Sequence, residues 1–156
     1  MEFKRLSNLS ELRRCLTISI AQYKKDQIPE FPIDESYSLQ SLMGLSRRGL
    51  FRVQYDGKDL VGWLSAVEGG CPLYSRRKTL TLAGYHTSLR GRKAVKALVE
   101  AQYLVLDYAE ALKYEVVTAN SVLSTRAVFN RILGEYDWFD RGGTMVAVTT
   151  HYRRSA

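Results

Sequence analysis

Apolar residues along this chain recur first at helical spacing, then at alternating spacing, and the changes of period mark the elements. Phe3 to Leu6 reads as a short strand. Asn8-Leu-Ser-Glu11 has the spacing of a capping box, and Leu9, Leu12, Leu16, Ile20 and Tyr23 follow on one helical stripe. A first helix is therefore expected from about Leu9 to Lys25. The run Ile28-Pro-Glu-Phe-Pro32 breaks it, because proline removes a backbone donor and restricts its neighbour. Asp34 is a cap for a second helix with Tyr37, Leu39, Leu42, Met43 and Leu45 as its apolar positions, ended by Gly49. Leu50 to Tyr55 and Leu60 to Val67 are strands joined at Asp56-Gly57, a strong hairpin signal.

Gly69-Gly-Cys-Pro72 marks a loop, and Thr79 to Thr87 is the next strand. A long helix is expected from about Gly91 to Lys113. Ala94, Leu98, Ala101, Val105, Tyr108 and Leu112 form its stripe, widened by Val95, Val99, Leu106 and Ala109. Glu115 to Ala119 is a short strand, so this helix and its flanking strands form a βαβ unit with parallel pairing and a right-handed crossover. Ser124 to Leu133 is a helix with Val128, Ile132 and Leu133 inward, ended by Gly134. Trp138-Phe139 and Thr144 to Thr150 are strands joined by Asp140-Arg-Gly-Gly143. The expected order is β-α-α-β-β-β-α-β-α-β-β in one mixed sheet.

The bulk numbers narrow this reading only slightly. A chain of 156 residues is most simply one domain, residues 1–156; it is 46% hydrophobic and 25% charged, as soluble domains are. No apolar run approaches the roughly 20 residues of a membrane span. The N-terminus has no apolar signal region, so a cytoplasmic location is expected. Cys15 and Cys71 are far apart, and His86 and His151 are the only histidines, so two free thiols and no metal centre are expected. The net charge of +7 favours anionic partners. The basic residues cluster at Arg13-Arg14, Lys24-Lys25, Arg47-Arg48, Arg76-Arg77-Lys78, Arg90 to Lys96 and Arg153-Arg154. Solvation accounts for most of these pairs, but two clusters flank the strand Thr79 to Thr87.

The junction after that strand carries the candidate chemistry. Arg90, Arg92, Lys93 and Lys96 crowd a turn that opens a long helix. A helix N-terminus offers unpaired N–H groups and partial positive charge, and added cations make it a site for phosphate.

The element order, with the turn at Arg90-Gly91, resembles the GCN5-related N-acetyltransferase superfamily over nearly the whole chain. The family pattern is Gln/Arg-x-x-Gly-x-Gly/Ala, written through as Arg-Gly-x-Gly-x-Gly, a small residue and Leu. Here Arg90, Gly91, Ala97 and Leu98 agree with it, while Lys93 and Val95 replace the later glycines. Asn120 after the next strand and Leu133-Gly134 after the next helix match two further landmarks. The resemblance implies an α/β three-layer (α+β) fold with a mixed, mostly antiparallel central sheet. It also implies acetyl-CoA as a substrate, without a metal, and an amine of a small molecule or protein as acceptor. Main-chain amides of Arg90, Gly91, Arg92, Lys93, Ala94 and Val95 would hold the diphosphate, with Tyr85, His86 and Thr87 beside the pantetheine arm. Asn120 would contact that arm, or only cap its own turn. The general base would be His86 or Glu68, although His86 also reads as a polar residue at a strand end. The tyrosine the family often uses as acid falls at Asn130, next to Phe129. Tyr136 is then a displaced acid, or packs beneath Trp138. Arg76, Arg77 and Lys78 would meet a 3′-phosphate or an anionic acceptor, or stay solvated.

Two functions compete on these residues: an acetyl-CoA-dependent N-acetyltransferase, and an inactive binding or structural protein on the same fold. Degenerate domains similar to this superfamily occur among tailed-phage proteins, which makes a phage protein one setting for the second. Nucleic-acid binding is set aside, because the ten tyrosines fall at core-like positions and no nucleic-acid motif appears. The pattern carries no signal for oligomeric state.

Overall fold

Asn8 caps the first helix, α1 (Leu9–Tyr23), as its spacing to Glu11 requires. Its Oδ1 accepts the Glu11 N–H at 2.9 Å, and the Glu11 carboxylate accepts the Ser7 N–H at 2.7 Å. Asp34 does the same for α2 (Glu35–Ser46), accepting the Tyr37 N–H at 3.0 Å. The computed structural model describes residues 1–25, 29–69, 76–120, 126–141 and 144–149. Ile28, Cys71, the loop glycine Gly70, the expected helix start at Ser124, Thr150, His151, Arg153 and Arg154 lie outside them.

The strands are β1 (Glu2–Lys4), β2 (Leu50–Asp56), β3 (Asp59–Glu68), β4 (Thr79–Thr87), β5 (Val116–Asn120), β6 (Phe139–Arg141) and β7 (Thr144–Val148). Two more helices complete the chain, α3 (Gly91–Ala111) between β4 and β5 and α4 (Arg126–Gly134) between β5 and β6. The sheet order is β1-β2-β3-β4-β5-β7-β6. β1 pairs β2, β5 pairs β7 and β6 pairs β7 antiparallel, while β4 and β5 pair in parallel across the α3 connection. The fold is α/β, with a mixed, mostly antiparallel sheet and one βαβ unit.

The chain divides into two compact units. The first comprises Met1–Ser65 and Gly84–Ala94. Its core joins Leu12 and Cys15 of α1, Leu42 of α2, Phe51 and Val53 of β2, and Leu60 and Trp63 of β3. Each large apolar side chain buried this way contributes about 1.5–3 kcal/mol. The inward face of α1 is Leu12 and Cys15, while Leu9 is exposed at the helix start. Cys15 is held as a neutral thiol, because burial pushes its pKa up to about 12. Tyr37, expected inward, is exposed; it lies in the first turn of α2, ahead of the stretch that packs.

The second unit comprises Ala66–Ala83 and Val95–Ala156. α3 buries Ala97, Leu98, Ala101, Gln102, Val105, Leu106 and Ala109. Val95 and Leu112 lie at the two ends of the expected stripe and are exposed. The helix stops at Ala111, and Lys113 adopts a left-handed φ of 59° that turns the chain toward β5. In α4, Ile132 and Leu133 are buried, as expected, while Val128 is exposed.

Candidate functional site

The last four residues of β4 and the turn into α3 belong to the first unit, and three aromatic rings stack across its strands. Phe51 of β2 lies 5.5 Å from Trp63 of β3, and Trp63 lies 4.8 Å from His86 of β4, with interplanar angles of 14° and 18°. Alternation along each strand puts all three rings on one face of the sheet. The Trp63 indole N–H donates to Ser19 Oγ of α1 at 2.8 Å, and Ser19 Oγ donates to the Cys15 carbonyl at 3.1 Å. Gly84 lets the indole lie close over β4. A β-carbon there would stand 2.6 and 2.8 Å from two ring atoms of Trp63.

Gln22, one turn beyond Ser19, reaches the same strand. Its amide nitrogen donates to the Thr87 carbonyl at 2.5 Å, and its amide oxygen lies 2.9 Å from His86 Nδ1. Burial lowers the His86 pKa from 6.5 to about 4, so the ring is neutral near pH 7. Tyr85 points to the opposite face, and burial pushes its phenol pKa up. The Thr87 hydroxyl donates to the Val61 carbonyl and accepts the Leu89 N–H at 3.1 Å, while the Ser88 N–H donates to Val61 at 2.7 Å. These bonds fix the exit from β4.

Arg90, Gly91 and Arg92 follow on the surface. Gly91 has φ of +57°, which a side chain adopts only with strain, and nothing lies within 4 Å of where its β-carbon would stand. Among the described residues, no protein atom accepts from the N–H groups of Arg90, Gly91, Arg92 or Lys93. The Lys93 side chain is turned to the β2–β3 hairpin, where its Nζ meets Asp56 Oδ2 at 2.8 Å. That hydrogen bond and the Asp56 charge raise the Lys93 pKa. Ala94 is half-buried at the end of this segment. The β4–β5 ladder spans Thr79–Leu82 with Val116–Ala119, within the second unit.

Four other sequence-nominated residues sit in the second unit. Glu68 is exposed at the end of β3 and lies against the Tyr114 phenol, whose pKa is raised by burial first and then by Glu68. Val95 is exposed in the first turn of α3. Asn120 Oδ1 accepts from the Thr144 hydroxyl at 2.8 Å, so this side chain ties β5 to β7. Tyr136 packs edge-on against Tyr103 with centroids 5.9 Å apart, and Trp138 donates instead to Gln102 Oε1 at 3.0 Å. Lys78 of the basic cluster caps the Leu112 carbonyl at 3.0 Å and lies over the Tyr114 ring.

A groove of about 670 Å³ runs between α1 and α2 in the first unit, with Leu16, Ile20 and Leu39 as its floor and Arg13, Lys24 and Glu35 among its other lining. It contains none of the nominated residues. Among the described residues, no three His, Cys, Asp or Glu side chains gather as metal ligands, and no helix is long and apolar enough to cross a membrane.

The fold has counterparts among solved structures. One is yncA from Salmonella typhimurium, solved with its cofactor acetyl-CoA, at 12% identity and a TM-score of 0.68 over 100% of this chain and 98% of that one. The fold is that of the GCN5-related N-acetyltransferases. A second acetyltransferase of this fold is the ribosomal-protein-alanine N-acetyltransferase from Brucella melitensis, at 16% identity and a TM-score of 0.67 over 95% and 99% of the two chains. A third is an aminoglycoside 6′-acetyltransferase type Ii, at 11% identity and a TM-score of 0.68 over 99% and 100%. At these identities the likeness to the acetyltransferases is one of fold. No protein-family model matches the sequence, and no curated protein matches it.

Sequence reasoning nominated His86 but missed the residues around it. Gln22, Ser19 and Trp63 are remote from His86 in the chain and form no motif. The one available signal was Trp63 in a strand paired with a strand that carries Gly84 and His86 on alternate positions.

Proposed function

We propose that this protein is an N-acyltransferase that moves the acetyl group of acetyl-CoA to an amine. One observation carries the reading: at the Gly91 turn, the N–H groups of Arg90 to Lys93 have no protein acceptor among the described residues. Successive free amides at a helix start suit a diphosphate. The segment fits the group on two further counts. Open space surrounds the β-carbon position of Gly91, and the Lys93 side chain is drawn to Asp56. Arg90 and Arg92 are exposed beside it and supply positive charge.

Acetyl-CoA when bound supplies an activated thioester; this chain supplies the cradle and the proton acceptor. His86 is the basic nitrogen of the segment, neutral at physiological pH and therefore able to accept a proton. The acceptor is an amine of a small molecule or of a protein. The names of the structural neighbours span both classes.

A second reading, an inactive scaffold, draws on Lys93 and Val95 in place of glycines and on Asn130 in place of the tyrosine. Calorimetric titration with acetyl-CoA separates the two at the first step. The acyltransferase reading expects one-site heat and a raised melting temperature. Neither signal at millimolar acetyl-CoA would leave the scaffold reading standing.

A further inference from the structure

The Gln22 amide contacts two groups of β4, and the two contacts together decide its orientation. The Thr87 carbonyl can only accept, so the amide nitrogen must face it. The amide oxygen then faces His86 Nδ1 and can only accept in turn. His86 Nδ1 must therefore carry the hydrogen. In a neutral ring this leaves the lone pair on Nε2, the nitrogen with no protein partner among the described residues. Stacking on Trp63, itself anchored to Ser19, fixes the plane of the ring.

We propose that Gln22 is a positioning residue, which holds His86 as the Nδ1–H tautomer so that Nε2 is the proton acceptor for the incoming amine. The proposal rests on the acyltransferase reading above. In the step it serves, the amine nitrogen attacks the thioester carbon, a C–N bond forms and the C–S bond breaks. The sulfur takes the electron pair as thiolate, and the proton shed by nitrogen passes to His86 Nε2. From there it returns to the thiolate or to water, leaving free coenzyme A and the amide.

Among the described residues, no charged side chain shifts the His86 pKa; burial lowers it and keeps Nε2 unprotonated in the free protein. A neutral acceptor with a fixed tautomer differs from a carboxylate base, because the orientation of its lone pair depends on its partner. Losing the partner would leave the ring in place and let the hydrogen sit on Nε2, where it would occupy the lone pair the amine needs.

The test compares the intact chain with Gln22→Met, which keeps much of the side-chain volume and removes both hydrogen bonds. Histidine ¹⁵N–¹H correlation spectra report the tautomer directly. The expected result is an Nδ1–H, bare-Nε2 pattern for His86 in the parent and a mixed or reversed pattern in the variant. Thiol release from acetyl-CoA is then followed with an alanine-led peptide, an aminoglycoside and hydroxylamine as amines. The expected loss in kcat is tenfold or more, with the KM for acetyl-CoA unchanged. A parent His86 in the Nε2–H form would overturn the proposal, as would a variant whose tautomer moves while its rate does not. Failure of both proteins to bind acetyl-CoA would instead sink the acyltransferase reading and the catalytic role of Gln22 with it, while the tautomer result still reports on the lock itself.

Discussion

Two tryptophans anchor the two units of this protein, and their hydrogen bonds end differently. Trp138 in the second unit donates to Gln102, both are buried, and the Gln102 amide nitrogen has no partner among the described residues. An unmet buried donor costs about 1–3 kcal/mol, so this pair gains its stability from packing. Trp63 in the first unit donates to Ser19, stacks on His86, and stands beside a glutamine whose amide nitrogen and oxygen are both engaged. One centre closes on itself. The other passes its order to a ring nitrogen that has no protein partner among the described residues. Under the acyltransferase proposal, the contrast distinguishes a polar cluster that supports a core from one that presents a proton acceptor.

The largest effects test that contrast directly. Trp63→Ala and Trp138→Ala each remove a large buried ring, and each should lower stability by about 3–5 kcal/mol in a urea melt. Their effects on His86 should diverge. Trp63→Ala uncovers the imidazole, and its NMR titration midpoint should rise from about 4 toward 6.5. Trp138→Ala should leave that midpoint where it is. Equal shifts in both variants would show that His86 responds to general loosening rather than to its own stacking partner.

The pH dependence of stability comes next in size. The folded-state pKa of His86 is depressed below its unfolded value, from 6.5 to about 4. As pH falls through this window, the unfolded chain takes up a proton that the native state refuses. Stability present above pH 6.5 therefore declines toward pH 4 and then stops responding to this group. At about 1.4 kcal/mol per pKa unit the loss is at most roughly 3.5 kcal/mol. Denaturant melts from pH 7.5 to 4 should show this slope in the parent and a flatter one in His86→Gln. Parallel slopes would mean that His86 is not the group that titrates.

Local rules explain why part of this was visible beforehand. Asn8 and Asp34 announce their helices because a cap and its partner are three residues apart. Asp56-Gly57 announces the β2–β3 hairpin, and the arginine–glycine turn marks the start of α3. Failures came where a stripe was read further than the packing extends. Tyr37, Leu112 and Val128 have the correct spacing but lie at or near helix ends and are exposed. Spacing gives the face of a helix but not the length of it that is buried. The site was only partly legible for a different reason. Gly91 and its neighbours form a contiguous motif, whereas Gln22, Trp63 and His86 meet only through strand pairing and the placement of α1 on the sheet. Glutamine at a helix end has no spacing signal, and its importance depends on which two acceptors and donors the fold brings to it.

The smallest expected effect concerns the glycine beneath Trp63. At Gly84, an added β-carbon would stand 2.6 Å from the indole, and the ring has little freedom to retreat. Phe51 stacks on one side of it and the Ser19 hydroxyl holds its N–H. Gly84→Ala should therefore cost about 1–3 kcal/mol, the usual penalty for overpacking a filled core. Gly44, inside α2 of the same unit, has nothing within 4 Å of its β-carbon position. Gly44→Ala should be neutral or gain up to about 1 kcal/mol from helix propensity alone. The same alanine is thus expected to act with opposite sign at two glycines, and urea midpoints measured side by side would show it. A tolerated Gly84→Ala would mean that the indole slides freely. A sliding indole would not hold the His86 plane, and the Gln22 hydrogen bond would then have to hold the ring orientation as well as its tautomer.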